Sequence, residues 1–256
     1  MRFEDRIKQK KSQEKIVMLT AYDYQTAKIL DETSIDMILV GDSLGMVFQG
    51  CKDTKSVIIE DMIYHTKAVA KGAQNKPVIG DMPLHSDASS EIALKNAMRF
   101  LDVGAKGVKI EGIKFETIRA LTDAKIPVMG HLGLLPQTAN VYKVRGKNPQ
   151  EATQMVEDAL ELERCGVFSM ILECIPETLG ERITKSIDVP TVGIGAGKFC
   201  DGQILVINDM LGFDEGFKPK YLKKYLHISK QISKAVETFS VDVRAGGYPD
   251  DEHSYH

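Results

Sequence analysis

Eight short apolar runs recur along the chain, and no other feature of the sequence limits its fold more. Most of them end in Gly, Asp or Glu, and they begin at Ile16, Met37, Pro77, Gly107, Pro127, Ser169, Pro190 and Gln203. Short runs with almost no polar residues are typical of parallel strands that are buried on both faces. Segments at 58–73, 88–103 and 149–165 lie between these runs and carry apolar stripes at helical spacing.

Strands that alternate with helices over 256 residues predict a (β/α)8 TIM-type barrel. A doubly wound open sheet is the structural alternative. The last two apolar runs are too close together for a crossover helix, so the seventh helix is predicted to be reduced or absent. Asn148 with Pro149, and Asp87, occupy positions that suit an N-cap and a first helical turn. The last helix is predicted over 219–243, with a short tail over about 246–256, in a single domain that spans 1–256.

Composition narrows the class of protein. The chain is 43% hydrophobic, enough for one sizeable core, and its net charge of −3 gives it no general affinity for nucleic acid or an anionic membrane. The charged N-terminus lacks the apolar region of a secretory signal, and no run approaches the roughly 18 apolar residues of a membrane span. Four cysteines without a CxxC pair suggest reduced thiols. We therefore expect a soluble cytoplasmic protein.

Two aspartates follow apolar runs, each directly after a glycine: Asp42 follows ILVG and Asp81 follows PVIG. The active site of a barrel lies at the C-terminal ends of its strands, so both carboxylates would converge there. Two such carboxylates repel each other unless a cation lies between them, and hard oxygen ligands suit Mg²⁺. The alternative is that each aspartate only caps the helix that follows.

Four further side chains at predicted strand ends could carry chemistry. Lys109 and Glu111 are two residues apart and share a face, which we assign to the barrel axis. There they would bind a substrate anion and support a metal, or form a buried structural ion pair. Glu173 ends an apolar run, and its partial desolvation suits a general base, although a capping or salt-bridged role is the alternative. A lone histidine such as His131 more often has a structural role than a role as metal ligand. The glycines at 193–197 lack the G-x-G-x-x-G spacing of a dinucleotide site.

Ten motifs distributed over nearly the whole chain carry a resemblance to one family. They are TAYD at 20–23, VGDSLGMV at 40–47, YHTKAV at 64–69, GDMP at 80–83, VKIEG at 108–112, GHLGLLPQ at 130–137, LEC at 172–174, GIGAG at 193–197, DGQILV at 201–206 and YPDDEHSYH at 248–256. In this order they resemble the ketopantoate hydroxymethyltransferase family. Two departures from its usual pattern are the sequence LHSD at 84–87 and a shorter stretch before Tyr142.

The resemblance implies an activity and a metal. Members transfer a hydroxymethyl group from 5,10-methylenetetrahydrofolate to 3-methyl-2-oxobutanoate and form ketopantoate, the first step toward pantothenate. Asp42 and Asp81 match the ligands of a Mg²⁺ ion, one for each subunit, and Glu111 matches a third metal-associated carboxylate. The resemblance also implies a cytoplasmic homo-oligomer, often a decamer, with small-molecule substrates and no nucleic-acid or membrane partner.

The same resemblance implies substrate contacts and a base. Ser43 and Lys109 match residues that bind the 2-oxo acid, which Asp42 and Asp81 also contact around the metal. Glu173 matches the proton acceptor that would remove a proton from C3 of the substrate, so that an enolate stabilised by magnesium attacks the one-carbon unit.

Three other functions remain open from the sequence. A metal-dependent lyase or mutase of the phosphoenolpyruvate mutase and isocitrate lyase kind also uses an enolate, but the KKCGH-type motif of its lyases does not occur here. A Schiff-base aldolase would use Lys109 as nucleophile. A non-catalytic protein that binds a 2-oxo acid is the third possibility.

Overall fold

The computed structural model describes all residues from 1 to 256, and they form two compact units, residues 1–206 and 207–256. The first unit contains eight parallel strands that close into a barrel in chain order. The strands are β1 Ile16–Thr20, β2 Met37–Val40, β3 Val78–Asp81, β4 Gly107–Lys109, β5 Val128–Gly133, β6 Ser169–Glu173, β7 Thr191–Ile194 and β8 Gly202–Leu205. The predicted barrel is confirmed, and the open sheet is wrong because β8 pairs with β1. The single domain over 1–256 stays a prediction.

Helices follow most of the strands. They are α1 Phe3–Gln9, α2 Tyr24–Asp31, α3 Leu44–Val47, α4 Ile59–Gly72, α5 Ser90–Asp102, α6 Phe115–Asp123, α7 Pro149–Arg164 and α8 Glu177–Ser186. The three helices predicted from apolar stripes are confirmed as α4, α5 and α7. No helix lies between β7 and β8, so the prediction that the seventh helix is reduced or absent is also confirmed.

Of the two predicted N-caps, one is confirmed and one is wrong. Asn148 accepts a hydrogen bond from the backbone of Gln150 and begins α7. Asp87 does not cap α5, because Ser89 accepts the bond from the first turn instead. The buried carboxylate of Asp87 forms an ion pair with Lys114. Asp87, which the sequence predicts as the cap of α5, therefore pairs with Lys114 in a neighbouring loop instead.

The second unit contains α9 Ile207–Leu211, α10 Ile228–Arg244 and a 3-10 helix at Asp251–His253. The last helix was predicted to begin at residue 219, and this start is wrong. The preceding residues bond to α9 and to the loop after it: the backbone of Tyr225 donates to the carbonyl of Met210 in α9, and the Lys224 ammonium donates to that of Asp214 in the loop. The backbone N–H of Tyr225 is therefore lost to a helical turn, and the helix begins only after it, at Ile228. No helix of the chain has the length and apolar character needed to cross a membrane.

Apolar side chains fill the barrel, and α1 closes its N-terminal end. The interior residues are Ile16, Met18, Met37, Leu39, Ile79, Met129, Phe168, Ile171, Val192 and Ile204. Ile7 of α1 joins this core, and the ring of Phe3 meets that of Phe168 edge-on at 5.3 Å. Just after α1, the Lys11 ammonium donates to the buried carboxylate of Asp201 at 2.9 Å.

The interior changes from apolar to polar toward the C-terminal ends of the strands. Side chains two residues apart share a face of a strand, so Asp81, like Ile79, points into the barrel. In the same way His131 points inward like Met129 on β5, and Glu173 points inward like Ile171 on β6. The strands therefore deliver ionisable groups to one end of a closed apolar core.

Candidate active site

Six ionisable residues gather at the C-terminal end of the barrel, and we call them the mouth cluster. They are Asp42, Asp81, Lys109, Glu111, His131 and Glu173. All except Glu173 are buried. Every member was singled out from the sequence, and the contacts below connect them.

Asp81 and Lys109 form the central ion pair of the mouth cluster. They lie opposite each other where β3 pairs with β4. The Lys109 Nζ donates to both carboxylate oxygens of Asp81, at 2.7 and 2.8 Å. The backbone N–H of Asp42 donates to the same carboxylate at 3.2 Å. Burial opposes the charge of Lys109, but Asp81, Asp42 and Glu111 outweigh it and raise the pKa of Lys109. Lys109 is therefore a cation rather than a free amine at neutral pH.

Asp42 lies two residues beyond the end of β2. Burial, and next the negative charge of Asp81, raise the pKa of Asp42 well above its usual range, against the opposing effects of Lys109 and Gln137. The Gln137 side-chain amide donates to Asp42 Oδ2 at 3.0 Å. The mouth cluster thus contains four carboxylates and two possible cations, and this excess of negative charge contributes to the raised pKa of Asp42.

His131 lies between the other two carboxylates. Its Nδ1 is 3.6 Å from Glu111 Oε2, and its Nε2 is 3.3 Å from Glu173 Oε2. Neither ring nitrogen has a well-formed hydrogen bond, so these contacts act through charge. Burial and Lys109 disfavour the imidazolium, but the two glutamates outweigh them and raise the pKa of His131 to about 9. Burial would raise the pKa of Glu111, yet His131, followed by Lys109 and the backbone of Gln137, lowers it.

Ser43 is held beside Asp42 at the start of α3. Its hydroxyl lies 2.8 Å from that of Tyr22, a buried side chain in the loop after β1. The carbonyl of Tyr22 lies 2.6 Å from His65 Nδ1 on α4. These contacts support the hydroxyl of Ser43 at the edge of the mouth cluster.

Sequence reasoning assigned no role to Gln137 or Tyr22. Both lie within motifs that carried the family resemblance, GHLGLLPQ and TAYD, and the motifs were the only signal available. Gln137 reaches the cluster because the chain turns sharply after β5. Gly133 has φ of 105°, and a Cβ there would lie 2.1 Å from the carbonyl oxygen of Glu173. The turn therefore needs glycine.

The donor set can be tested against a magnesium ion. No group of three His, Cys, Asp or Glu side chains is arranged to hold a metal by itself. Mg²⁺ needs only one or two protein carboxylates, however, and takes its other oxygens from water and substrate. Asp42, whose negative charge Lys109 and Gln137 offset only in part, meets that requirement, and Asp81 lies beside it. Glu111 Oε2 is buried without a hydrogen-bond partner. The residues present therefore fit the ion.

Comparison with known proteins identifies close relatives in sequence. The model of the family described as ketopantoate hydroxymethyltransferase matches residues 1–251. A 3-methyl-2-oxobutanoate hydroxymethyltransferase of Clostridium kluyveri is 51% identical over 253 residues, which cover 96% of this chain and 90% of the relative. A protein of the same name from Syntrophomonas wolfei is 48% identical, with 96% and 92% covered.

Comparison with solved structures identifies the fold. A phosphonopyruvate hydrolase in complex with oxalate and Mg²⁺ superposes with a TM-score of 0.65 at 12% identity, covering 99% of this chain and 93% of that one. A 2,3-dimethylmalate lyase of the phosphoenolpyruvate mutase and isocitrate lyase superfamily gives a TM-score of 0.62 at 13% identity, with 100% and 92% covered. At such low identity the likeness concerns the barrel alone.

Proposed function

The chain belongs to the ketopantoate hydroxymethyltransferase family, and from that premise we propose that the mouth cluster performs the chemistry of hydroxymethyl transfer. The reaction converts 3-methyl-2-oxobutanoate to ketopantoate, the step that leads to pantothenate. We take 5,10-methylenetetrahydrofolate as the one-carbon donor. The observation that carries the proposal is the convergence of Asp42, Asp81, Lys109 and Glu173 at one end of an otherwise apolar barrel.

Asp42 and Asp81 would hold one Mg²⁺ ion, with Glu111 behind them. When bound, the ion supplies a Lewis acid that stabilises negative charge developing on the keto oxygen of the substrate. Asp42 is suited to this role because a cation would offset both the burial and the repulsion from Asp81 that now raise its pKa. Asp81 is already paired with Lys109, which would share it with the metal.

Lys109 and Ser43 bind and orient the 2-oxo acid. A protonated Lys109 attracts the carboxylate of the substrate, and the Ser43 hydroxyl, held by Tyr22, offers a hydrogen bond beside it. Fixing the acid at two points holds C3 in place for proton removal and for attack on the one-carbon unit. The protonated state of Lys109 argues against a Schiff-base aldolase, which needs a free amine.

Glu173 removes the proton from C3. Its side chain is 18% exposed, whereas those of Asp81 and Glu111 are 2% and 3% exposed, so among these carboxylates it is the one a substrate can approach. His131 touches Glu173 but has a pKa of about 9. It therefore carries a proton at neutral pH and acts as a cation beside the base rather than as the base.

The metal assignment is tested with Asp42→Asn and Asp81→Asn, with Asp123→Asn at an exposed site as control. We expect both cluster variants to lose Mg²⁺-dependent product formation and Mn²⁺ binding measured by electron paramagnetic resonance, while circular dichroism stays unchanged. Turnover at the wild-type rate in the presence of EDTA would show that the metal role is wrong.

The base assignment is tested with Glu173→Gln, with the exposed Glu116→Gln as control. Exchange of the C3 proton of 3-methyl-2-oxobutanoate in D₂O, followed by NMR, should slow by about 10²- to 10⁴-fold, which is the usual contribution of a positioned base. Undiminished exchange would assign proton removal to another group.

Three further predictions accompany this function. We expect the enzyme in the cytoplasm, as a homo-oligomer and specifically as a decamer. Its substrates are small molecules, and neither nucleic acid nor membrane is expected as a partner. Multi-angle light scattering of the purified protein measures the number of subunits directly.

A further inference from the structure

Gln137 has a buried side chain in the loop after β5, and none of the roles assigned above in metal binding, substrate binding or proton transfer falls to it. We propose that Gln137 is a positioning residue that orients Asp42 for the metal and fixes the spacing of the carboxylates around it. This inference rests on the proposed function, because it presumes that Asp42 binds a divalent cation.

The side chain of Gln137 uses its amide nitrogen twice. Nε2 donates to Asp42 Oδ2 at 3.0 Å and to the carbonyl of Met82 at 2.9 Å. Both partners are acceptors, so the orientation of the amide is fixed: an exchanged amide would place its oxygen against a carboxylate and a carbonyl. Met82 follows Asp81 directly in the chain. One amide therefore connects the end of β2 to the end of β3.

The backbone of Gln137 adds a third connection. Its N–H donates to Glu111 Oε1 at 2.9 Å, which fixes the carboxylate beyond β4. A single residue from the β5 loop thus contacts Asp42 and Glu111 and holds the residue next to Asp81. The three carboxylates assigned to the metal lie on three different strands or their extensions; Gln137 bonds to two of them, Asp42 and Glu111, and to the residue that follows the third, Asp81.

The physical consequence concerns orientation rather than charge. A carboxylate that is held at one oxygen can no longer rotate freely, so the direction of its other oxygen is restricted. Partners that hold metal ligands in this way typically change metal affinity or activity 10- to 100-fold when they are lost. An amide also donates without adding negative charge to a group that already lies near Asp81 and Glu111.

The experiment compares Gln137→Met, which keeps the length of the side chain but donates nothing, with wild type and with Ser169→Ala. The Ser169 hydroxyl donates to the carbonyl of Pro190 at 2.9 Å, and it lies at the first residue of β6, away from the mouth. Gln137→Met loses two buried hydrogen bonds and Ser169→Ala loses one, so both variants should unfold at a lower temperature. Gln137→Leu, which likewise lacks a side-chain donor and adds no charge, provides a second test with the same expected loss of Mn²⁺ affinity if the Met variant does not fold.

We expect the dissociation constant of Mn²⁺, measured by isothermal titration well below the unfolding temperature, to rise 10- to 100-fold in Gln137→Met and to stay unchanged in Ser169→Ala. Activity of Gln137→Met should be low at limiting Mg²⁺ and recover at excess Mg²⁺. An Mn²⁺ affinity within twofold of wild type would overturn the inference and leave the proposed function intact. A wild-type protein that binds no divalent ion would overturn both.

Discussion

The buried ion pair of Asp81 and Lys109 allows a prediction whose size follows from burial. In the variant Lys109→Met the side chain keeps most of its length and loses its charge. The side chains of the pair are 5% and 2% exposed, so water cannot replace the missing ammonium. The carboxylate of Asp81 would remain buried without its cation, close to Asp42 and Glu111.

The expected cost is large. Removing one partner of a buried ion pair destabilises a protein by about 3–5 kcal/mol, because the other charge is left uncompensated. For a chain of this size each 1 kcal/mol lowers the unfolding temperature by roughly 2–4 °C. Lys109→Met should therefore unfold roughly 6–20 °C below wild type. Differential scanning calorimetry in the absence of divalent ions measures this shift.

An exposed ion pair provides the matched control. Lys185 pairs with Glu181 one helical turn away on α8 at 2.7 Å, the same distance as the shorter contact of Lys109, but its side chain is 74% exposed. Such surface pairs contribute about 1 kcal/mol or less. Lys185→Met should therefore leave the unfolding temperature nearly unchanged. If the two variants unfolded at the same temperature, the reasoning from burial would be refuted.

Three further predictions concern stability. Asp201→Asn removes the charge that pairs with Lys11 and should cost about 1–3 kcal/mol in urea unfolding, and an unchanged midpoint would contradict this. Folding raises the pKa of His131 from 6.5 to about 9, so protonation of its imidazole stabilises the fold fully below pH 6.5 and not at all above pH 9. Between these pH values the free energy of unfolding of wild type should fall by about 3 kcal/mol relative to that of His131→Gln. A difference that stays constant with pH would refute it. Gly80→Ala would place Cβ 2.3 Å from the Phe100 ring and should cost about 1–3 kcal/mol, which Phe100→Leu should recover. An unchanged unfolding temperature for the single variant would contradict it.

The strands could be predicted from the sequence because their burial leaves a mark in composition. Every residue of β2, from Met37 to Val40, is buried. A strand buried on both faces tolerates few polar side chains, so its limits coincide with the limits of the apolar run. The same logic placed Asp81 and Glu173 at strand ends, where the apolar run stops.

The N-cap of α5 and the start of α10 could not be located in this way, because both depend on contacts with residues distant in sequence. Asp87 is as good a cap as Ser89 by residue type, and only the ion pair with Lys114 decides between them. The start of α10 depends on the bond from Tyr225 to Met210, which no local pattern reveals.

Within the site, residue types at strand ends identified the charged members but not their supports. Gln137 lies in an irregular loop, where neither period two nor period 3.6 gives a direction for the side chain. Its position depends on the turn at Gly133, whose φ of 105° is a property of the backbone alone. The role of His131 as a cation between Glu111 and Glu173 likewise depends on distances across three strands.

Closure of the barrel sets the order of events during synthesis. β1 completes its pairing only when Ile16 meets Gly202 on β8. At about 5–20 residues per second, a ribosome needs roughly 10–40 s to add the intervening chain. Throughout that time the nascent protein carries β1 with one edge unpaired, and unpaired edges recruit other strands. A chain released before Gly202 would keep two open edges, on β1 and β7, so premature termination favours aggregation over a smaller folded product.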